Sequence, residues 1–155
     1  MALKRYIEDI QGDMSHYMIT AAERGGIVTL AATGAFSPEM DAGLNVVAYA
    51  ASHSGKQPIG MLMHTVEDYD TTKVPYNYQN MDVVPKNSKV YVMKKGVAIT
   101  NMIDPARLAS IDPGKAYVTR SGLLSDLSTA NNIEVGNFES YPSSDGFVKV
   151  SINIG

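Results

Sequence analysis

Within Phe147 to Ile154, the residues from Val148 onward alternate without a break. Val148, Val150, Ile152 and Ile154 fall on one side of an extended chain, and Lys149, Ser151 and Asn153 on the other, which is the period of a half-buried strand. The segment before it, Pro142-Ser143-Ser144-Asp145-Gly146, ends in Asp-Gly, whose tolerance of positive φ suits a tight hairpin turn. Ile133 to Glu139 then reads as the partner strand. A period-two hairpin of this kind commits the chain to sheet, and every further segment has to fit around it.

The rest of the chain repeats the theme. Ile27 to Ala32, Leu44 to Ala50, Ile59 to Val66 and Val97 to Ile103 also read as strands. Ile59 to Val66 is apolar on both faces, as in a strand central to a sandwich or covered by a partner subunit. Lys89-Val90-Tyr91-Val92-Met93-Lys94-Lys95-Gly96-Val97 aligns with Lys115-Ala116-Tyr117-Val118-Thr119-Arg120-Ser121-Gly122-Leu123. Each reads as a strand, a short turn with Gly in the left-handed position, and a second strand. Either two hairpins needing the same turn have converged on similar residues, or an ancestral segment was duplicated. Helix signals are weak: Pro105 to Ile111 predicts one or two turns with Asp104 as N-cap, and Ser125 to Asn131 another turn. The expected fold is mostly β, a small sandwich or barrel of about seven or eight short strands with an extended N-terminal arm and little helix.

Composition narrows the chemistry. The 155 residues suit a single domain. Lys plus Arg is 13 and Asp plus Glu is 16, a net charge of −3, without the basic footprint of a nucleic-acid binder. There is no cysteine, which removes disulfides, thiol catalysis and sulfur-ligated metals together. No apolar run is long enough to span a membrane as a helix, and the first residues lack the apolar core of a signal peptide. His16, His53 and His64 do not stand at metal-ligand spacing; His64 with Glu67, Asp68 and Asp70 is more simply a solvated loop beside a strand end. Ser52-His53-Ser54 is not a dyad, because neighbours on extended backbone point apart. Gly55-Lys56 lacks the remainder of a phosphate loop. Lys86, Lys89, Lys94 and Lys95 read as lysines that block sheet-to-sheet pairing, or as a patch for an acidic protein. No catalytic constellation emerges, and neither a metal nor an organic cofactor is called for.

Two segments do not read as core. Residues 1–24 mix Leu3, Tyr6, Ile7, Ile10, Met14, Tyr17, Met18 and Ile19 irregularly with charge, predicting an arm that orders on a neighbour ahead of a β-domain over 25–155. Residues 67–82 form a long polar loop carrying Tyr69, Tyr76 and Tyr78. Pro75 keeps Val74 extended, and alternation puts Tyr76 and Tyr78 on the same side, either as anchors on a partner or as a lid on their own domain.

The order of these segments resembles the small capsid decoration proteins of tailed bacteriophages, also called head-stabilising or cement proteins. The resemblance runs over residues 20–155. It is carried by Arg24-Gly25-Gly26-Ile27-Val28-Thr29, Val46-Val47-Ala48-Tyr49-Ala50 leading to Pro58-Ile59-Gly60-Met61-Leu62, and Val66-Glu67-Asp68-Tyr69-Asp70. The Tyr91 and Tyr117 segments and the closing hairpin, Val135 to Glu139 with Asp145 to Val150, complete it. It implies a β-structured virion protein without an active site, assembled in the host cytoplasm onto the outer face of the shell. There it would bridge major capsid subunits as a homo-oligomer, a trimer ahead of a dimer. The implied contacts with capsid or sister subunits are Lys4, Arg5, Tyr6 and Ile7 on the arm and Tyr69, Tyr76 and Tyr78 on the loop. A β-sandwich module recognising a glycan or cell-surface ligand is the alternative.

Overall fold

The computed structural model describes residues 3–31, 46–52, 55–66 and 82–155, without the side chains of residues 5–7 and 65. The protein is mostly β. Among the described residues there are eleven strands, more than the seven or eight expected, and the only helical pieces are two 3-10 turns, Leu108–Ser110 and Arg120–Gly122. The strands are β1 (Leu3–Met18), β2 (Ala22–Glu23), β3 (Ile27–Leu30), β4 (Val46–Ala48), β5 (Pro58–Thr65), β6 (Val83–Val84), β7 (Lys89–Thr100), β8 (Gly114–Val118), β9 (Leu124–Ser125), β10 (Ile133–Phe138) and β11 (Val148–Asn153). Nine form one mixed sheet in the order β1-β4-β3-β5-β7-β11-β10-β8-β9, and β2 pairs with β6.

β7 organises this sheet. Along one edge it pairs antiparallel with β1, from Leu3↔Thr100 to Tyr17↔Lys89. Its other edge changes partner midway. Val90 to Met93 pair with β5, and Lys95 to Thr100 pair with β11. Because β1 also pairs in parallel with β4 at Tyr17↔Val46 and Met18↔Val47, the ladders run in a closed circuit, β1-β4-β3-β5-β7-β1.

The core follows from that circuit. Met18, Val28, Val47, Leu62, Val90 and Val92, drawn from each of its five strands, pack with Val84 of β6 into one buried cluster. A second cluster joins Ile27, Met61, Met63 and Met93 to Ala116, Val118, Val135, Phe138, Val148, Val150 and Ile152. β5 lies between the two, with Leu62 in the first cluster and Met61 and Met63 in the second, so its two-sided apolarity is satisfied within one chain. Tyr49, just after β4, ties down the connection from β2 to β3: its hydroxyl accepts from the Gly26 N–H at 3.1 Å and donates to the Glu23 carbonyl. Burial pushes that phenol above its ordinary range, so it stays protonated and able to donate.

Four local expectations are corrected. Lys94-Lys95-Gly96 is not a hairpin loop, because β7 runs through it. Gly96 has φ 155°, and a Cβ there would come within 2.3 Å of the Glu8 carbonyl oxygen, so Gly serves close strand approach at the point where β7 exchanges β5 for β11. The aligned segment does turn: β8 and β9 form a hairpin through Ser121 at φ 55° and Gly122 at φ 73°. Residues 3–18, read as lacking a strand pattern, form a sixteen-residue strand. Its ladder with β7 carries five register shifts, four of which insert an extra residue on β1 and so break its side-chain alternation. Ser125, expected to open a helical turn, lies on β9. Asp104 does not cap the Leu108–Ser110 turn, whose N-cap is Arg107 without a side-chain bond; Asp104 Oδ1 instead accepts the Ala106 N–H at 3.1 Å in the turn just before it. Gly146 does adopt positive φ, 77°, in the loop that joins β10 to β11.

Candidate interaction surface

β1 is built inside out over its middle. Glu8, Ile10, Gln11, Gly12, Met14 and Ser15 are exposed, with Ile10 at 66% and Met14 at 54% of full exposure. Asp9 and Asp13 are half-buried and paired, while Glu8 faces solvent. Asp9 accepts from the Tyr91 hydroxyl. Asp13 accepts from Ser15 N–H at 2.8 Å, Ser15 Oγ at 2.6 Å and Lys94 Nζ at 3.1 Å, with His16 Nε2 at 3.4 Å. Gly12 passes over the Tyr91 ring so closely that a Cβ would overlap it. Tyr91 in turn meets the His64 ring edge-on, at 5.2 Å between centroids. Burial, then the Arg24 charge, pushes the His64 imidazole below its ordinary value. Ile10 and Met14 are thus turned to solvent and Asp9 and Asp13 to partners on the body of the protein, the reverse of a strand that serves only its own core.

The Ser15 hydroxyl, followed by the Ser15 N–H and Lys94, holds the Asp13 carboxyl well below the usual carboxylate range despite some burial. An unfolded aspartate titrates near about 4. The stabilisation is therefore complete above that value and is lost as pH falls toward the lower folded one. Asp126, gripped by Arg107 through two bonds of 2.9 Å, is shifted in the same direction. We expect Asp13→Asn to lower the melting temperature at about pH 7 and to make its fall toward about pH 3 shallower. Melts across that range read it, and parallel curves for the two proteins would contradict it.

At the start of β1 the surface becomes concave. Leu3 pairs with Thr100 and Arg5 with Ile99 on β7, while Ile99 also pairs with Lys149 on β11. Lys4 and Lys149 thereby flank Ile99 on adjoining strands. With Tyr141 and Phe147 from the loop before β11 they line a cleft of about 380 Å³. Lys4 Nζ stands 5.1 Å from the centre of the Phe147 ring. Lys149 Nζ bonds Glu139 Oε2 at 2.7 Å. Ser140 Oγ accepts the Lys149 N–H at 3.0 Å and Ser143 Oγ accepts the Phe147 N–H at 3.1 Å, which fixes the loop that presents Tyr141, itself 67% exposed.

Of the residues singled out in the sequence, Lys4 lines this cleft. Arg5, Tyr6 and Ile7 are placed by their β1 register alone, and Tyr69, Tyr76 and Tyr78 lie outside the described residues. Ile99, Tyr141, Phe147 and Lys149 were not singled out, and Ile10 and Met14 were named only among the apolar residues of the arm. Tyr141 alone carried a local signal, a large aromatic next to Pro142 in a run of Ser, Asp and Gly. Among the described residues no three His, Asp or Glu gather as a metal site would need. A scan against protein-family models and a search of curated proteins found no match to this chain.

Proposed function

We propose that this chain is a structural virion protein that binds the outer face of a tailed-phage capsid and bridges its major capsid subunits as a homo-oligomer. The closed circuit of β1, β4, β3, β5 and β7 is, in this reading, a small barrel, and the layer from β11 to β9 packs beside it as in a sandwich. The observation that carries the proposal is β1: a long strand with Ile10 and Met14 facing solvent and Asp9 and Asp13 facing inward is what a surface covered by a partner needs. Covering each side chain contributes about 1–2 kcal/mol, and repetition over the equivalent positions of a shell multiplies that modest gain. The order of strand and turn motifs that resembles decoration proteins supplies the identity of the partner.

The test is the double change Ile10→Lys with Met14→Lys. Both side chains are exposed, so the stability of the isolated protein should stay within about 0.5 kcal/mol of the original. Occupancy on shells of the major capsid protein should fall steeply. Undiminished occupancy with both lysines in place would remove β1 from the contact and with it the chief support for this reading.

A second reading, a module for a glycan or cell-surface ligand, is favoured by a cavity of about 320 Å³ whose lining includes the polar side chains of Asp104, Thr119, Arg120, Ser125, Asn131 and Asn132 beside Ala51 and Leu127. It offers the mixed donors and acceptors that sugar hydroxyls require.

A further inference from the structure

We infer that the cleft between β1, β7 and β11 receives an acidic, aromatic-bearing segment of polypeptide. The carboxylate would lie between Lys4 and Lys149 and the apolar side chain against Ile99, Phe147 and Tyr141. That the segment belongs to the shell rests on the capsid-binding reading; the chemistry of the cleft does not.

The two charged groups that line the cleft, Lys4 and Lys149, are both cationic. Lys4 and Lys149 are donors only. Ser140 and Ser143 spend an acceptor site each on the Lys149 and Phe147 N–H groups and keep their O–H to donate. The nearby carboxylate, Glu139, is engaged by Lys149. An ionised carboxylate, which only accepts, matches the two ammonium groups with charge-assisted bonds that a neutral sugar hydroxyl does not make. Lys4 holds its charge over an aromatic ring, and no carboxylate among the described residues stands within ion-pair distance of it. A carboxylate arriving there completes an ion pair without breaking one. The remaining walls are apolar: Ile99 forms the floor, and Phe147 and the largely exposed Tyr141 flank it. An exposed tyrosine gives a large contact area with a polar handle, a frequent anchor at interfaces. A volume of about 380 Å³ takes one or two side chains, so the cleft fits a short segment and not a folded domain.

The test uses the full-length, nitrogen-15-labelled protein and a hexapeptide with blocked ends that alternates aspartate with phenylalanine. Its neutral twin has asparagine for each aspartate. A third titration uses neutral oligosaccharides. We expect amide shifts at Lys4 and from Ser140 to Lys149 with the acidic peptide, and affinity weaker by about tenfold or more for the twin. Lys4→Gln and Tyr141→Ala should each weaken binding about fivefold or more while leaving the melting curve unchanged. Equal affinity for both peptides overturns the role of charge. No shifts in the cleft, or shifts there with oligosaccharide and none with peptide, overturn the proposal. If the chain is found on purified particles and the peptide does not bind, this inference fails alone. If the peptide binds and the chain is absent from particles, the cleft chemistry holds and the shell is lost as its source.

Discussion

Gly136→Ala is expected to cost about 3 kcal/mol or more, a large share of the stability of a chain this size. Gly136 lies on β10, paired with Ile152 on β11 and with Ala116 on β8. A Cβ there would stand 1.9 Å from the Ser151 carbonyl oxygen, 2.9 Å from its carbon and 3.0 Å from the Ile152 Cα. All three are backbone atoms, so no side chain can swing aside. Relief requires β10 to move, and it is hydrogen-bonded on both edges. Gly155→Ala is the control, since nothing lies within 4 Å of the position. Urea unfolding read by two probes measures both. The midpoint of Gly136→Ala should drop with little change in slope and that of Gly155→Ala should not move. An unshifted midpoint for Gly136→Ala would mean that β8, β10 and β11 are not packed at this register.

Leu62→Ala should cost about 2–5 kcal/mol, the range for a large aliphatic side chain truncated in a close-packed interior. Leu62 is fully buried inside the circuit, against Val28, Val47, Val90 and Val92. These come from strands held in a ring of ladders, so the walls cannot collapse into the void without breaking pairing, which argues for the upper half of the range. Leu30→Ala is the contrast: that leucine is 49% exposed and its loss should stay within about 0.5 kcal/mol. Combining Leu62→Ala with Val92→Ala adds a second test. Neighbours sharing one cavity should depart from additivity by about 0.5 kcal/mol or more. Strict additivity would indicate separate environments and would contradict a shared interior.

How far the fold can be read from residues alone depends on what sets each element. Val148, Val150 and Ile152 were legible because β11 has one buried face and one wet face, and burial writes itself into alternate positions. β5 was legible as two-sided because both of its faces are covered. β1 was not, for a specific reason. Four register shifts insert extra residues and scramble its alternation, and over its middle Ile10 and Met14 face out while Asp9 and Asp13 face Tyr91 and Lys94. A pattern rule that equates apolar with inward misses such a strand. Gly96 and Gly122 stand in nearly the same string, yet one continues a strand and the other turns a hairpin. The difference lies in what crosses above them, the Glu8 carbonyl for Gly96 and the Tyr49 ring for Gly122, and that is fixed by residues far away in the chain. The cleft was hidden for the same reason. Lys4 and Lys149 are separated by almost the whole sequence and meet because Ile99 is the register partner of both Arg5 and Lys149.

The proposal of a shell-binding role is tested most directly by the protein content of purified intact particles, measured by quantitative mass spectrometry, with surface labelling to locate the chain. The prediction is a stoichiometry comparable to that of the major capsid protein and lysines that are labelled without opening the shell. Absence of the chain from purified particles, or its presence only after the shell is opened, would contradict it.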